Sequence, residues 1–365
     1  MHFPSLKELS ARGTRKWTVY DEDVIPLWIA ESDFLTAPAV KEAIQEAVDA
    51  ESFGYTPAPK ASELNAALAD FYESRYGWRP KHVFWIGDVV RGLLLGVQYF
   101  TEGAVAVPVP SYPPLLELPE TAGREKIETS LELDDIERAF KAGAGSILLS
   151  HPYNPLGIVF DEDWLRGLVE LADKYDARIL SDEIHAPLVY EGRHIPLGSL
   201  SDRVITVTAT SKAWNTAGLK CAQVILSNSA DVERWNSLTG VAKDGTGTLG
   251  VLAAEAAYRD GGEFLDEEIA YLKKTLDWLV EELPKRVPGL KTSHPQATYL
   301  LWLDFSGTAI GDDPKPAAWV REHAKVALNE GVTFGTGGEH HARLNFATSR
   351  ELLEEALDRL EKAFS

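Results

Sequence analysis

Three short apolar runs each end in a cluster of polar residues, and this repeated arrangement narrows the choice of folds more than any other feature. Ser146-Ile147-Leu148-Leu149 runs into Ser150-His151-Pro152-Tyr153-Asn154-Pro155-Leu156-Gly157. Ala177-Arg178-Ile179-Leu180 runs into Ser181-Asp182-Glu183-Ile184-His185, and Val204-Ile205-Thr206-Val207-Thr208 runs into Ala209-Thr210-Ser211-Lys212. Short continuous apolar runs suit strands buried on both faces. Open α/β sheets take their ligands at the carboxyl ends of such strands.

Seven candidate strands fall at about 82–87, 104–110, 125–132, 145–152, 177–183, 204–211 and 222–228, with helical stretches such as 161–175 between several of them. This rhythm predicts a mostly parallel seven-stranded sheet covered by helices on both faces. Helical periods also mark 39–50 and 62–74. After about residue 240 the character changes. A long amphipathic helix is expected over 262–284, strands at Tyr299–Leu303 and Ala342–Phe346, and a last helix over 350–364. The expected organisation is a large domain over 41–260, a smaller α+β domain over 261–365, and residues 1–40 packing with the smaller one.

The net charge of −20 opposes binding to a nucleic-acid backbone or to an anionic membrane. The single cysteine, Cys221, rules out an intrachain disulfide. The first residues carry no apolar signal-peptide core, and no stretch approaches the ~20 apolar residues of a membrane span. A cytoplasmic setting is expected. His151, His340 and His341 lack a set of metal partners, so no metal site is expected.

A lysine at a strand's carboxyl end beside small hydroxyl residues, as in Ser211-Lys212, suits a Schiff base with an aldehyde cofactor. Lys220, eight residues on, suits that cofactor's phosphate. Gly87-Asp88-Val89-Val90 follows the strand Val83–Ile86, and such a strand-turn-helix junction offers free N–H groups to an anion. Asp88 is expected to point away or cap the helix. Gly245-Thr246-Gly247-Thr248-Leu249-Gly250 matches the dinucleotide fingerprint, but no apolar strand precedes it. We expect no NAD there, and a loop that approaches the other subunit's site.

Asn-Pro-x-Gly, then Asp-x-x-His, then Ser-Lys with a cation eight residues later, spaced by 28 and 30 residues, resembles the fold-type I enzymes that use pyridoxal 5′-phosphate (PLP). The resemblance implies an aspartate aminotransferase-like fold and a role for each residue. Lys212 would bind PLP and move the substrate's Cα proton, and Asp182 would hold the pyridine nitrogen protonated. Asn154 would donate to the ring's 3-oxygen and face the substrate. Tyr112 would stack on the ring. Val89, Val90, Ser211 and Lys220 would hold the phosphate end, and His185 would line the cofactor. Arg343 would grip the substrate carboxylate with two parallel hydrogen bonds, with Glu31 also at the substrate. Tyr55 would serve the neighbouring subunit's phosphate and substrate, which requires a homodimer.

Trp17, the run Ile25-Pro26-Leu27-Trp28-Ile29-Ala30-Glu31-Ser32-Asp33-Phe34, and Phe53-Gly54-Tyr55 extend the likeness. With His185 where many aminotransferases have tyrosine, the chain resembles the carbon–sulfur lyases of the MalY/PatB type, the cystathionine β-lyases. That implies α,β-elimination of L-cystathionine or a related S-substituted cysteine to a thiol, pyruvate and ammonia, as in methionine biosynthesis. Two alternatives stay open: an aminotransferase on the same scaffold, and a PLP-binding regulatory protein acting through a protein partner.

Overall fold

The computed structural model describes residues 3–365. In chain order its strands are β1 (Ile25–Pro26), β2 (His82–Ile86), β3 (Ala104–Pro108), β4 (Lys126–Thr129), β5 (Ala144–Ser150), β6 (Arg178–Asp182) and β7 (Val204–Thr208). β8 (Ala222–Leu226), β9 (Lys291–Thr292), β10 (Leu300–Asp304), β11 (Val326–Ala327), β12 (Asn329–Glu330) and β13 (His341–Asn345) follow. Strands β2 to β8 form one seven-stranded sheet in the order β2-β8-β7-β6-β5-β3-β4. All neighbours are parallel except β8, which runs antiparallel to both β2 and β7. Each of the seven expected strands is present near its expected place.

The sheet is buried on both faces because helices cover both. Successive residues of a strand point to opposite sides. Leu148 and Leu180 join the apolar layer under the helix Val89–Phe100, while Ile147, Leu149 and Ile179 join the layer under Leu133–Lys141 and Glu162–Lys174. Gly92 lets the first of these helices settle onto the sheet, since a Cβ there would lie 2.8 Å from Val207. The parallel strands β5 and β6 are in register at their ends, Ser150 opposite Asp182, so their polar residues emerge side by side.

A second sheet, antiparallel in the order β12-β13-β10-β9, carries the C-terminal part. The helices Gly262–Arg286, Pro316–Ala324 and Arg350–Phe364 pack into the same apolar cluster. The N-terminal segment is tied to this part by backbone. β1 pairs in parallel with β11, Asn345 N donates to Leu27 O (2.9 Å), and Asp33 N donates to Ala347 O (2.8 Å). No described helix is long and apolar enough to cross a membrane.

Candidate active site

A cavity of about 290 Å³ opens at the carboxyl ends of β5, β6 and β7. Its wall includes Asn154, Asp182, His185, Ser211, Lys212 and Tyr112, together with Val89, Val90 and Lys220. The three polar clusters that follow the apolar runs are thus brought together.

Asp182 closes β6 and is 4% exposed. Its Oδ1 accepts from Ile184 N at 3.1 Å; Oδ2 takes no hydrogen bond among the described residues. Burial pushes its carboxyl up to about 7, against the pull of the Ile184 amide and the Lys212 charge. A cation placed against Oδ2 would restore the ionised form. Lys212 is half-buried on the wall of the same cavity and its Nζ donates to Ala30 O at 2.8 Å. Burial, and then the Arg343 charge, bring its ammonium down to about 8, while Asp182 and Glu31 oppose the shift. The lysine therefore has an appreciable neutral fraction near neutral pH, as nucleophilic and proton-moving amines require.

Arg343 lies behind Asn154 rather than on the cavity wall. Its Nη1 donates to Asn154 Oδ1 at 3.0 Å, and Nη2 approaches Trp28 O and Asn329 Oδ1, each at 3.4 Å. Nε is buried without a partner among the described residues. With Oδ1 of Asn154 engaged by arginine, its amide N–H₂ is the end left to donate elsewhere. His185 is buried edge-on to Tyr299, with ring centroids 6.0 Å apart. Burial, and then the charges of Lys212 and Arg343, hold it well below the ordinary histidine range, so it is neutral.

At the other end of the cavity, Val89 and Val90 open the helix Val89–Phe100. Asp88 caps that helix, its Oδ1 accepting from Arg91 N at 2.8 Å, as the sequence suggested. Its Oδ2 also accepts from Lys220 Nζ at 3.0 Å, so Asp88 does not simply point away but orients the cation beside the helix N-terminus. The fingerprint-like loop at 245–250 is preceded by the short helix Gly240–Lys243, not by a strand. It packs against the Val89–Lys220 end of its own chain's cavity: Gly247 N donates to Lys220 O at 3.1 Å, and a Cβ on Gly87 would lie 2.8 Å from Gly245 O.

Besides Arg343, two more expected residues are not on this cavity. Glu31 lies on an adjoining groove, reaching Lys212 through its charge rather than by contact. Tyr55 is fully exposed and borders a separate pocket with Trp235 and Thr246. Other site residues escaped the sequence reading. Tyr299 donates its hydroxyl to Ala30 O at 3.1 Å, sharing the acceptor of Lys212. Asn345 Nδ2 donates to Ile29 O (2.6 Å) and Glu31 O (2.8 Å). Behind Asp182, the buried Glu183 bonds His194 at 3.0 Å and Leu197 N at 3.1 Å. A polar residue after a strand is the only sequence signal Glu183 offers, and Ala30, which acts through its carbonyl, offers none.

The donor set fits PLP. It offers an amine of lowered pKa for an aldehyde, a buried carboxylate with a free oxygen for a ring nitrogen, and an aromatic side chain on the wall. A helix N-terminus with an adjacent lysine suits a phosphate.

The family described as aminotransferase class I and II matches residues 22–360. The chain belongs to that family. Within it, the chain is 53% identical to the cystathionine beta-lyase of Corynebacterium glutamicum, over 99% of each chain. A crystal structure from Corynebacterium diphtheriae, 52% identical, superposes with a TM-score of 0.97 over 100% of this chain and 99% of that one. The PLP-bound C–S lyase of Staphylococcus hominis, 26% identical, matches with a TM-score of 0.91 over 100% of this chain and 99% of that one.

Proposed function

We propose that this protein is a PLP-dependent carbon–sulfur β-lyase, a cystathionine β-lyase that cleaves L-cystathionine or a related S-substituted cysteine to a thiol, pyruvate and ammonia. The observation that carries the reading is the convergence of Lys212, Asp182 and Asn154 on one cavity, with Arg343 bonded to Asn154 from behind at 3.0 Å. They converge in a chain 53% identical to a cystathionine beta-lyase along its whole length.

When bound, PLP supplies an electron sink for the pair left at Cα on loss of a proton. Lys212 would be the cofactor's attachment point, and its Nζ would accept the Cα proton. The Ala30 carbonyl holds the resulting ammonium within reach. Asp182 keeps a positive charge on the ring nitrogen, a contact whose strength grows as charge develops in the transition state. Arg343 binds the substrate α-carboxylate. Asn154 holds the guanidinium through Oδ1, which leaves its amide donors to face the ring's 3-oxygen when the cofactor is bound. Tyr112 would stack on the ring, and the neutral His185 lines the same cavity. Ser211, Lys220 and the amides of Val89 and Val90 take the phosphate.

The same reading includes a homodimer in which Tyr55 of each chain serves the other's phosphate, a division into parts at 1–40, 41–260 and 261–365, and a cytoplasmic setting. The exposure of Tyr55, away from its own chain's cavity, supports the shared site. The test is to supply L-cystathionine without any keto acid. Thiol and pyruvate should appear together over many turnovers. A single turnover that leaves the cofactor as its amine would favour the aminotransferase alternative.

A further inference from the structure

A groove of about 960 Å³ adjoins the Lys212 cavity. The two share Ala217 as a wall, and Ala30 of the cavity is followed directly by Glu31 of the groove. Leu35, Ile44 and Leu219 give it an apolar side; Arg12 lines it too, its Nη1 donating to Phe34 O at 3.2 Å, while the remaining charges, of both signs, are Arg15, Lys41 and Glu31. None of these three forms an ion pair within 4.0 Å with any described residue. Elsewhere most surface bases are engaged, as Arg75 is by Asp266, Arg79 by Asp70 and Arg286 by Glu361. Among the described residues Arg15 has only the face of Trp28, 5.8 Å from its guanidinium carbon. Opposite charges that line one groove and stay apart are arranged for a ligand that carries both. A simple anion would meet Glu31 and a simple cation would meet Arg15 and Lys41, each a repulsion that disfavours the wrong ligand.

We propose that this groove is the subsite for the leaving half of the substrate, and that it recognises a zwitterionic α-amino acid end. The carboxylate would lie toward Arg15 and Lys41, the ammonium toward Glu31, and the intervening thioether methylenes along the apolar side. The inference rests on the lyase reading and names its substrate class: S-substituted cysteines whose substituent ends in an amino acid group, in preference to S-alkyl cysteines.

Two measurements test it. In steady state, the ratio of kcat/KM for L-cystathionine to that for S-methyl-L-cysteine should fall roughly tenfold in Arg15→Gln/Lys41→Gln, about the worth of one charge-assisted hydrogen bond. Arg15→Lys should recover part of it. Glu31→Gln should lower the ratio as well. A ratio unchanged in all of these variants overturns the subsite, as does an equal fall for both substrates. The second measurement needs no turnover. Lys212→Ala protein loaded with PLP is titrated calorimetrically with each amino acid, with and without the Arg15→Gln/Lys41→Gln pair. A preference for L-cystathionine that the pair erases supports the groove even if no thiol is ever released, which would sink the lyase reading alone. No preference in the titration overturns the groove while leaving elimination untouched.

Discussion

The two walls of the cavity are built from different parts of the chain. The wall contributed by the seven-stranded sheet is made of side chains: Asp182 at the end of β6, Lys212 just past β7, Asn154 just past β5. The strap of residues 28–31, which reaches the cavity at Ala30, contributes main-chain carbonyls. Trp28 O faces Arg343, Ile29 O faces Asn345, Ala30 O faces Lys212 and Tyr299, and Glu31 O faces Asn345 and Lys16. A parallel sheet can hold side chains in fixed directions because its own backbone is fully paired. An irregular strap, bent at residues 29–30, has no ladder there, so its carbonyls serve other groups as acceptors and its position must be fixed from outside. Here that is done by the buried pair Lys16–Asp33 (2.7 Å), by Trp17 Nε1 on Asp33 Oδ1 (2.9 Å), and by β1 on β11. The sheet wall supplies chemistry and the strap supplies placement.

The largest effect is expected on the sheet wall. Lys212→Ala should lower thiol release by at least ~10³-fold, as befits loss of a positioned proton-moving group. Borohydride reduction of the native protein should fix the cofactor on Lys212, as read by peptide mapping. Asp33→Ala attacks the strap instead. It strands the Lys16 ammonium in the interior, and breaking a buried pair costs about 3–5 kcal/mol. This should appear as a lower urea midpoint, while the variant that still folds keeps its cofactor. If Asp33→Ala is as stable as the parent, the strap is held by something other than its buried pair.

Asp182→Ala should cost roughly 10²–10³-fold in kcat, the scale of losing one aligned electrostatic group. The same position gives a pH test. Burial raises the Asp182 carboxyl to about 7 in the folded, cofactor-free protein, above its value in the unfolded chain. The folded state therefore binds more protons between about pH 4 and 7. The contribution of this group is full at low pH and is lost as pH rises through 7. Cofactor-free Asp182→Asn should gain stability relative to the parent between pH 5 and pH 8 in urea titrations. A constant difference would mean that Asp182 is already paired without the cofactor.

The smallest effect separates the two walls most finely. Tyr299→Phe removes one of two donors to Ala30 O and leaves the lysine contact intact. A loss of about 0.5–1.5 kcal/mol in stability is expected, with kcat changed less than by any substitution on the sheet side. A drop in kcat comparable to that of Asp182→Ala would place Tyr299 among the reacting groups.

This division also explains what could be read in advance. The strand ends announce themselves, because an apolar β-branched run followed by Asp, Asn or Ser-Lys leaves few other places for those side chains. Asp182, Lys212, Asn154, Val89 and Val90 were legible for that reason, and so were the seven strands. The antiparallel sense of β8 was not, since a buried strand has the same composition in either direction. Nor was the position of Arg343 behind Asn154, which depends on how two sheets meet. The role of Ala30 could not be seen at all, because every residue has a carbonyl and only the folded chain decides where it points. Trp17 and Asp33 carried part of the signal through the family resemblance, though their physical task is to hold the strap still.

One consequence of the β1–β11 pairing concerns biosynthesis. Ile25 and its partner Val326 are about 300 residues apart in the chain. At 5–20 residues per second, the strap emerges from the ribosome roughly 15–60 s before the strand that receives it. During that interval Ile25, Leu27 and Phe34, all buried in the finished protein, have no native cover. The β7–β8 connection, which carries both Lys212 and Lys220, can form from neighbouring sequence long before. The nascent chain can thus form the segment that carries Lys212 and Lys220 while Ala30, the acceptor for Lys212, is still undocked. The early-made, late-docking strap is the segment where a trailing chaperone would do the most good.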